Sequence, residues 1–269
     1  MSENNFLNDV AFKKIKKEIL NSYNVKDDIT KPKVIFKEID IENDKERMYD
    51  SSSDTYIPLK YIQFADGEIV ISAISDYIDF AKGYYQLFSE NLFSEKAFDY
   101  LFDFLSVKVK DFKLIPYTGN QAKEKYLSIF GLSDKADITY YNIQHSTIQF
   151  NSNTSNKNIT HSYEELTPDR VYYGTLLGNK IVSIVGCNNA IQPLLSPTVV
   201  DIGLETHEDY RQNGYALSNV AAMSNYLVSE GHVVKYCCNN KNTNSIKTAI
   251  SSGFKVVANE KTFWCVNPR

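Results

Sequence analysis

Apolar positions change their period along the chain. From Phe6 to Tyr23 they fall at Phe6, Val10, Ile15, Ile19 and Leu20 with lysines between, which predicts an amphipathic helix. Lys33 to Ile39 alternates and predicts a short strand, and the polar stretch Ile41 to Thr55 predicts a loop. Leu59 to Phe64 and Glu68 to Ile74 flank Ala65-Asp66-Gly67, a hairpin pattern because Asp-Gly tolerates positive φ. Helical periods follow at Tyr77 to Phe88 and Ser94 to Leu105, the second with Ser94 as its N-cap. Gln121 to Phe130 reads as a further helix closed by Gly131.

After the Ser/Asn-rich segment Asn151 to Asn158, which reads as a loop, the pattern becomes strand-like. Tyr172 to Leu177, Gly178-Asn179 and Lys180 to Cys187 predict a hairpin. A strand beginning at Thr198 leads into an apolar helix, then a strand over Val233 to Cys238. A short helix ending at Gly253-Phe254 and a last strand toward Val266 complete the chain. The expected fold class is α/β or α+β, with a mixed sheet flanked by helices in the C-terminal half. A smaller, helix-rich α+β domain is expected before it, with the division at 1–137 and 138–269.

Charge supports two units. Residues 1–150 hold 19 Lys+Arg and 24 Asp+Glu, a balance of −5, against 10 and 9, or +1, in 151–269. The net charge of −4 argues against nucleic acid as the main partner. No apolar run approaches the ~18–20 residues of a membrane helix, and the N-terminus does not read as a signal peptide. A cytoplasmic location is the expectation. Cys187, Cys237, Cys238 and Cys265 sit in strand-like runs without a paired-ligand spacing, so buried thiols are expected and no metal site. The aromatic stripe Tyr84, Tyr85, Phe88, Phe93, Phe98, Tyr100, Phe102 and Phe104 reads as core rather than as the lining of a ligand pocket.

Candidate chemistry concentrates where the strand Val199 to Leu204 passes through Glu205 to Tyr210 into Arg211-Gln212-Asn213-Gly214-Tyr215-Ala216. Strand, polar turn and helix in that order present unpaired N–H groups and a favourable dipole to an anion. Gly214 permits close approach and Arg211 adds a permanent cation. By itself R-x-x-G-x-A fits an ordinary strand-to-helix turn equally well. Downstream, however, come Asn242-x-x-Ser245 and a helix closing on Gly253-Phe254. In that order and spacing the motifs resemble the Gcn5-related N-acetyltransferases (GNAT), in the bacterial branch with an extra N-terminal domain. The resemblance covers Tyr172 to Val266, with weaker support back to Ile138.

The resemblance implies acetyl-CoA as cosubstrate and a small amine as acceptor. It implies that Arg211, Gln212, Asn213, Gly214, Tyr215 and Ala216 hold the pyrophosphate. Leu204, Glu205 and Thr206 would run beside the pantetheine, and Asn242 and Ser245 would face the thiol end. Asn242 also fits a plain helix cap. For the base that takes the amine proton, Asp201, Glu205, His207 and Glu208 are the local carboxylate and imidazole candidates, Glu205 first. Many relatives carry a tyrosine four residues before the Gly-Phe as acid for the departing thiol; here that position is Ala249. Ser245 or water is left for the role.

Two functions therefore stand side by side: an acetyl-CoA-dependent N-acetyltransferase, and a non-catalytic acyl-CoA-binding or regulatory module that keeps the phosphate turn. The partners expected are acetyl-CoA and the amine, without nucleic acid or membrane, and a homodimer is left open.

Overall fold

The computed structural model describes residues 9–23, 25, 34–39, 49–50, 55–111, 115–116, 123–133, 147–150, 171–178, 180–187 and 199–266. The elements are α1 (Val10–Ser22), β1 (Val34–Ile39), β2 (Tyr49–Asp50), β3 (Thr55–Phe64), β4 (Ile69–Ile74), α2 (Ile78–Phe88) and α3 (Glu95–Asp111). They are followed by β5 (Ile115–Pro116), β6 (Lys123–Leu132), β7 (Thr147–Phe150), β8 (Tyr172–Leu177), β9 (Lys180–Cys187) and β10 (Val199–Thr206). The last elements are α4 (Tyr215–Ser229), β11 (Val233–Asn239), α5 (Thr243–Ser251) and β12 (Lys255–Val266). The fold is mixed α/β, as the periodicity implies. The expected loop at 151–158 lies outside the described residues.

Two compact units emerge, and each is discontinuous in sequence. Unit 1 comprises Met1–Glu18 and Ser128–Val257; unit 2 comprises Ile19–Leu127 and Ala258–Arg269. This differs from the contiguous division at 137/138. The reason is long-range strand pairing: Ala258 to Phe263 of β12 pair antiparallel with Phe64 to Leu59 of β3, which draws the end of the chain into unit 2.

In unit 2 the strands run in the order β1-β4-β3-β12. The Asp66-Gly67 turn closes β3 on β4 as its sequence predicts, with Gly67 at φ 85°. Ser94 caps α3, its hydroxyl accepting from the N–H of Ala97 at 3.3 Å. Most of the aromatic stripe is core: Tyr84 is buried with Tyr77, Leu101 and Phe263, and Tyr85, Phe88, Phe93, Phe98 and Phe104 pack against them. Tyr100, by contrast, is exposed, and the side chain of Phe102 lies outside the described residues.

In unit 1 the order is β6-β11-β10-β9-β8-β7. Of the helix expected at 121–130, the described residues, from Lys123 on, are instead strand β6. Its side chains alternate: Phe130 and Leu132 enter the core with Tyr236, while Gly131 faces the other way. A Cβ on Gly131 would stand 2.6 Å from the Ile15 side chain, so this glycine lets α1 lie against the strand rather than ending a helix. α1 buries Ala11, Phe12, Ile15, Ile19 and Leu20, but Val10, expected on the same apolar face, is half exposed. α4 lies on the opposite face of the sheet. It is buried on most sides through Ser218, Asn219, Val220, Ala221, Met223, Ser224 and Leu227, as suits a helix with apolar residues nearly all round.

Candidate active site

The parallel pairing of β10 with β11 runs from Val199↔Val233 to Ile202↔Tyr236. Beyond that point β10 continues on β9 alone, through Gly203↔Gly186 to Thr206↔Ser183. The two parallel strands thus part at Ile202 and Tyr236. The stretch Gly203 to Thr206 lies past the register with β11.

At the end of β10 the chain makes one short 3-10 turn, Glu208–Tyr210, and then enters α4. Gln212 has φ 63°, the single positive φ among the described non-glycine residues, and Gly214 has φ 79°. A side chain held in the left-handed region costs about 1–2 kcal/mol, and such costs collect at ligand sites. Asn213 braces the turn, its Nδ2 donating to the carbonyls of Tyr210 and Arg211 at 3.1 Å each. Arg211 Nε donates to the Thr206 carbonyl at 3.1 Å, which ties the cation to the strand end. Gly214 at the N-cap contributes no side-chain acceptor to α4, so the first helical turn directs its N–H donors and dipole outward.

These parts enclose a cleft of about 490 Å³. Leu204, Glu205, Thr206, Arg211, Gln212, Gly214, Tyr215, Ala216, Asn242 and Ser245 all line it, so the site residues expected from sequence converge, except Asn213, whose place is behind the turn. The lining also includes Tyr210, Leu217, Asn244, Lys247 and Thr248, which the motifs do not mark. Asn244, Lys247 and Thr248 are three and four residues apart on α5, a helical-face spacing that could have pointed to them. Arg211 and Lys247 give the cleft two cations against the one carboxylate of Glu205.

Asn242 is a helix cap: its Oδ1 accepts from Ser245 N at 3.1 Å, as the second reading of that residue anticipated. Ser245 Oγ lies 2.6 Å from the hydroxyl of Tyr236. Tyr236 is buried between Phe130 and Phe254, ring centroids 6.2 and 5.6 Å away. Burial pushes its phenol up to about 12, with the Ser245 bond opposing and Cys238 adding to the rise. The Cys238 thiol is raised in the same way by burial, with Ser245 opposing the rise. Ala249 is fully buried in the same core and brings no polar group to the cleft.

The base candidates separate. Alternation along β10 puts Leu204 with Ile202 on the α4 face, and Glu205 with Asp201 on the other. Asp201 stands opposite Lys235, 3.9 Å away, and Lys235 also pairs with Glu18 at 2.6 Å. His207 Nδ1 accepts from Asp209 N at 3.3 Å and caps the 3-10 turn. Glu208 is exposed and does not line the cleft; Glu205 does.

No family model and no curated protein matches this chain. Among solved structures it is similar to a GNAT-family protein from Novosphingobium aromaticivorans (14% identity, 56% of this chain and 69% of that one, TM-score 0.40). A GCN5-related N-acetyltransferase-like protein from Streptococcus suis is similar at 13% identity over 53% and 62% of the two chains, TM-score 0.41. A GNAT-family acetyltransferase from Colwellia psychrerythraea gives 13%, 60%, 62% and 0.40. In the last two of these likenesses the chain spans 62% of the other protein's length, and likeness of this degree decides nothing about activity. Among the described residues, no helix is long and apolar enough to cross a membrane.

Proposed function

We propose that the chain is an N-acetyltransferase of the GNAT superfamily that moves an acetyl group from acetyl-CoA to the amine of a small molecule or an amino group. The observation that carries this is the parting of β10 from β11 at Ile202 and Tyr236, directly before a left-handed anion turn in the same cleft. In this reading the pyrophosphate sits on the N–H groups of the turn and the first turn of α4, with Arg211 and Lys247 neutralising charge. The stretch Gly203 to Thr206, past its register with β11, runs beside the pantetheine and leads the thioester to the gap between the strands.

The gap joins the two faces of the sheet. The thioester approaches on the α4 face, where Ser245 stands, and the amine on the face of Glu205. The nitrogen attacks the carbonyl carbon, the C–S bond breaks with its electron pair going to sulfur, and the ammonium proton passes to Glu205 or through it to water. Ser245 Oγ–H stabilises the departing thiolate. Holding thioester and amine together is itself worth several kcal/mol, roughly 7 or more when well oriented.

The buried Ala249 favours a second reading, a non-catalytic acyl-CoA-binding module, because the acid that many relatives place there is missing. One experiment separates the two. Calorimetric titration with acetyl-CoA, followed by measurement of free thiol across a panel of polyamines, amino sugars, amino acids and peptides, should show binding and amine-dependent thiol release. Binding without release supports the module; no binding sinks both.

A further inference from the structure

The hydroxyl of Ser245 is held from behind by a group of the core. Tyr236 points to the α4 face of β11, and its hydroxyl lies 2.6 Å from Ser245 Oγ. We infer that Tyr236 acts as a positioning residue that turns Ser245 into a donor aimed into the cleft, taking the place of the acid absent at Ala249. This rests on the acetyl-transfer reading above.

Proton counting carries the inference. A serine hydroxyl has one proton and two lone pairs. A phenol that stays protonated at neutral pH brings one proton to donate, and burial holds Tyr236 in that form. With Tyr236 donating into one lone pair of Ser245 Oγ, the hydroxyl proton is directed away from the phenol, and Ser245 lines the cleft. Pre-set donors are worth more than free rotors because they need no reorganisation when charge develops on sulfur.

Tyr236 is the wrong group to surrender its own proton. A phenol raised to about 12 is a weaker acid than an ordinary thiol, whose reference value is ~8.5. Full transfer would leave a buried tyrosinate between Phe130 and Phe254. The pair therefore works by orientation: Tyr236 keeps its proton on the Ser245 side, and Ser245 presents its proton to the thiolate. The thiolate then leaves with its electron pair and takes a proton from water outside the cleft.

The test is a double-mutant cycle on the full chain, with the acetyl-CoA dissociation constant and kcat for amine-dependent thiol release measured for each variant. Tyr236→Phe keeps the ring contacts and removes the donor. It should leave acetyl-CoA affinity unchanged and lower kcat about tenfold, part of the ~10²–10³-fold that loss of an aimed donor costs. Ser245→Ala should lose at least as much, and Tyr236→Phe should add nothing in that background. Wild-type kcat in Tyr236→Phe, or fully additive losses in the double variant, overturns the inference while leaving acetyl transfer standing. A wild type that binds no acetyl-CoA, or releases no thiol with any amine, instead removes the acetyl-transfer reading and this inference with it.

Discussion

Ile202 of β10 and Tyr236 of β11 are the last residues at which the two parallel strands face each other in register. The cleft residues from Leu204 to Ala216 follow directly past that pair on β10 and its turn. Parallel strands joined through a helix continue together as long as both can bond to one another. Here β10 instead remains on β9 through Thr206, and the turn that follows is anchored back to Thr206 by Arg211. The gap is thus built by hydrogen bonds on either side of it, which makes it part of the fold.

The left-handed turn should respond oppositely to substitution at its two special positions. Gly214→Ala places a Cβ at φ 79° and should cost about 1–2 kcal/mol of stability, together with a loss of acetyl-CoA affinity. Gln212→Gly relieves the strain at φ 63° but gives up about 0.5–1 kcal/mol to unfolded-chain entropy, so it should be neutral or slightly stabilising. Urea midpoints and calorimetric titration read both effects. A Gly214→Ala variant as stable and as tight as wild type would remove the anion-turn assignment.

Glu205→Gln tests proton removal. The side chain lines the cleft on the face opposite Ser245, and the substitution keeps its size while removing its basicity. Acetyl-CoA binding should survive, and turnover at neutral pH should fall ~10²–10⁴-fold. Part of the loss should return at alkaline pH, where more of the amine is already unprotonated. Near-normal turnover at neutral pH would transfer the role to His207 or to positioning alone, since Asp201 is held by Lys235.

His232 should make stability fall in acid. It follows the Gly231 turn after α4, with its N–H on the Leu227 carbonyl at 2.9 Å. Burial holds its imidazole below the usual 6.5; Glu230 opposes this and Lys14 adds to it. With the folded value depressed, the unfolded chain takes the proton first. The contribution is complete above 6.5 and is lost as pH falls from there through the folded value, with a slope of at most ~1.4 kcal/mol per pH unit. Urea midpoints across this range should slope less in His232→Asn than in wild type. Equal slopes would assign the acid dependence to other groups.

The chain's local patterns were enough for the parts whose geometry depends on few residues. Asp66-Gly67 and Gly178 mark their turns, Ser94 marks the start of α3, and Gly214 marks the passage from β10 to α4, because each is set by the φ and hydrogen bonds available to one residue and its neighbours. The order of motifs from Arg211 to Phe254 likewise brings the cleft residues into view, since strand, turn and helix follow one another without a long excursion. Sheet membership is another matter. Residues 121–130 carry a period that a helix could use, and only placement among neighbouring strands, with Phe130 against Tyr236 and Ile15 over Gly131, makes the stretch from Lys123 into β6. The end of β12 belongs with unit 2 because β3 is its partner, a pairing nearly two hundred residues apart in sequence that no local pattern encodes. The contact of Tyr236 with Ser245 has the same origin. Which hydroxyl a buried phenol meets is decided by how β11 and α5 pack, and that depends on side-chain shape across the whole core.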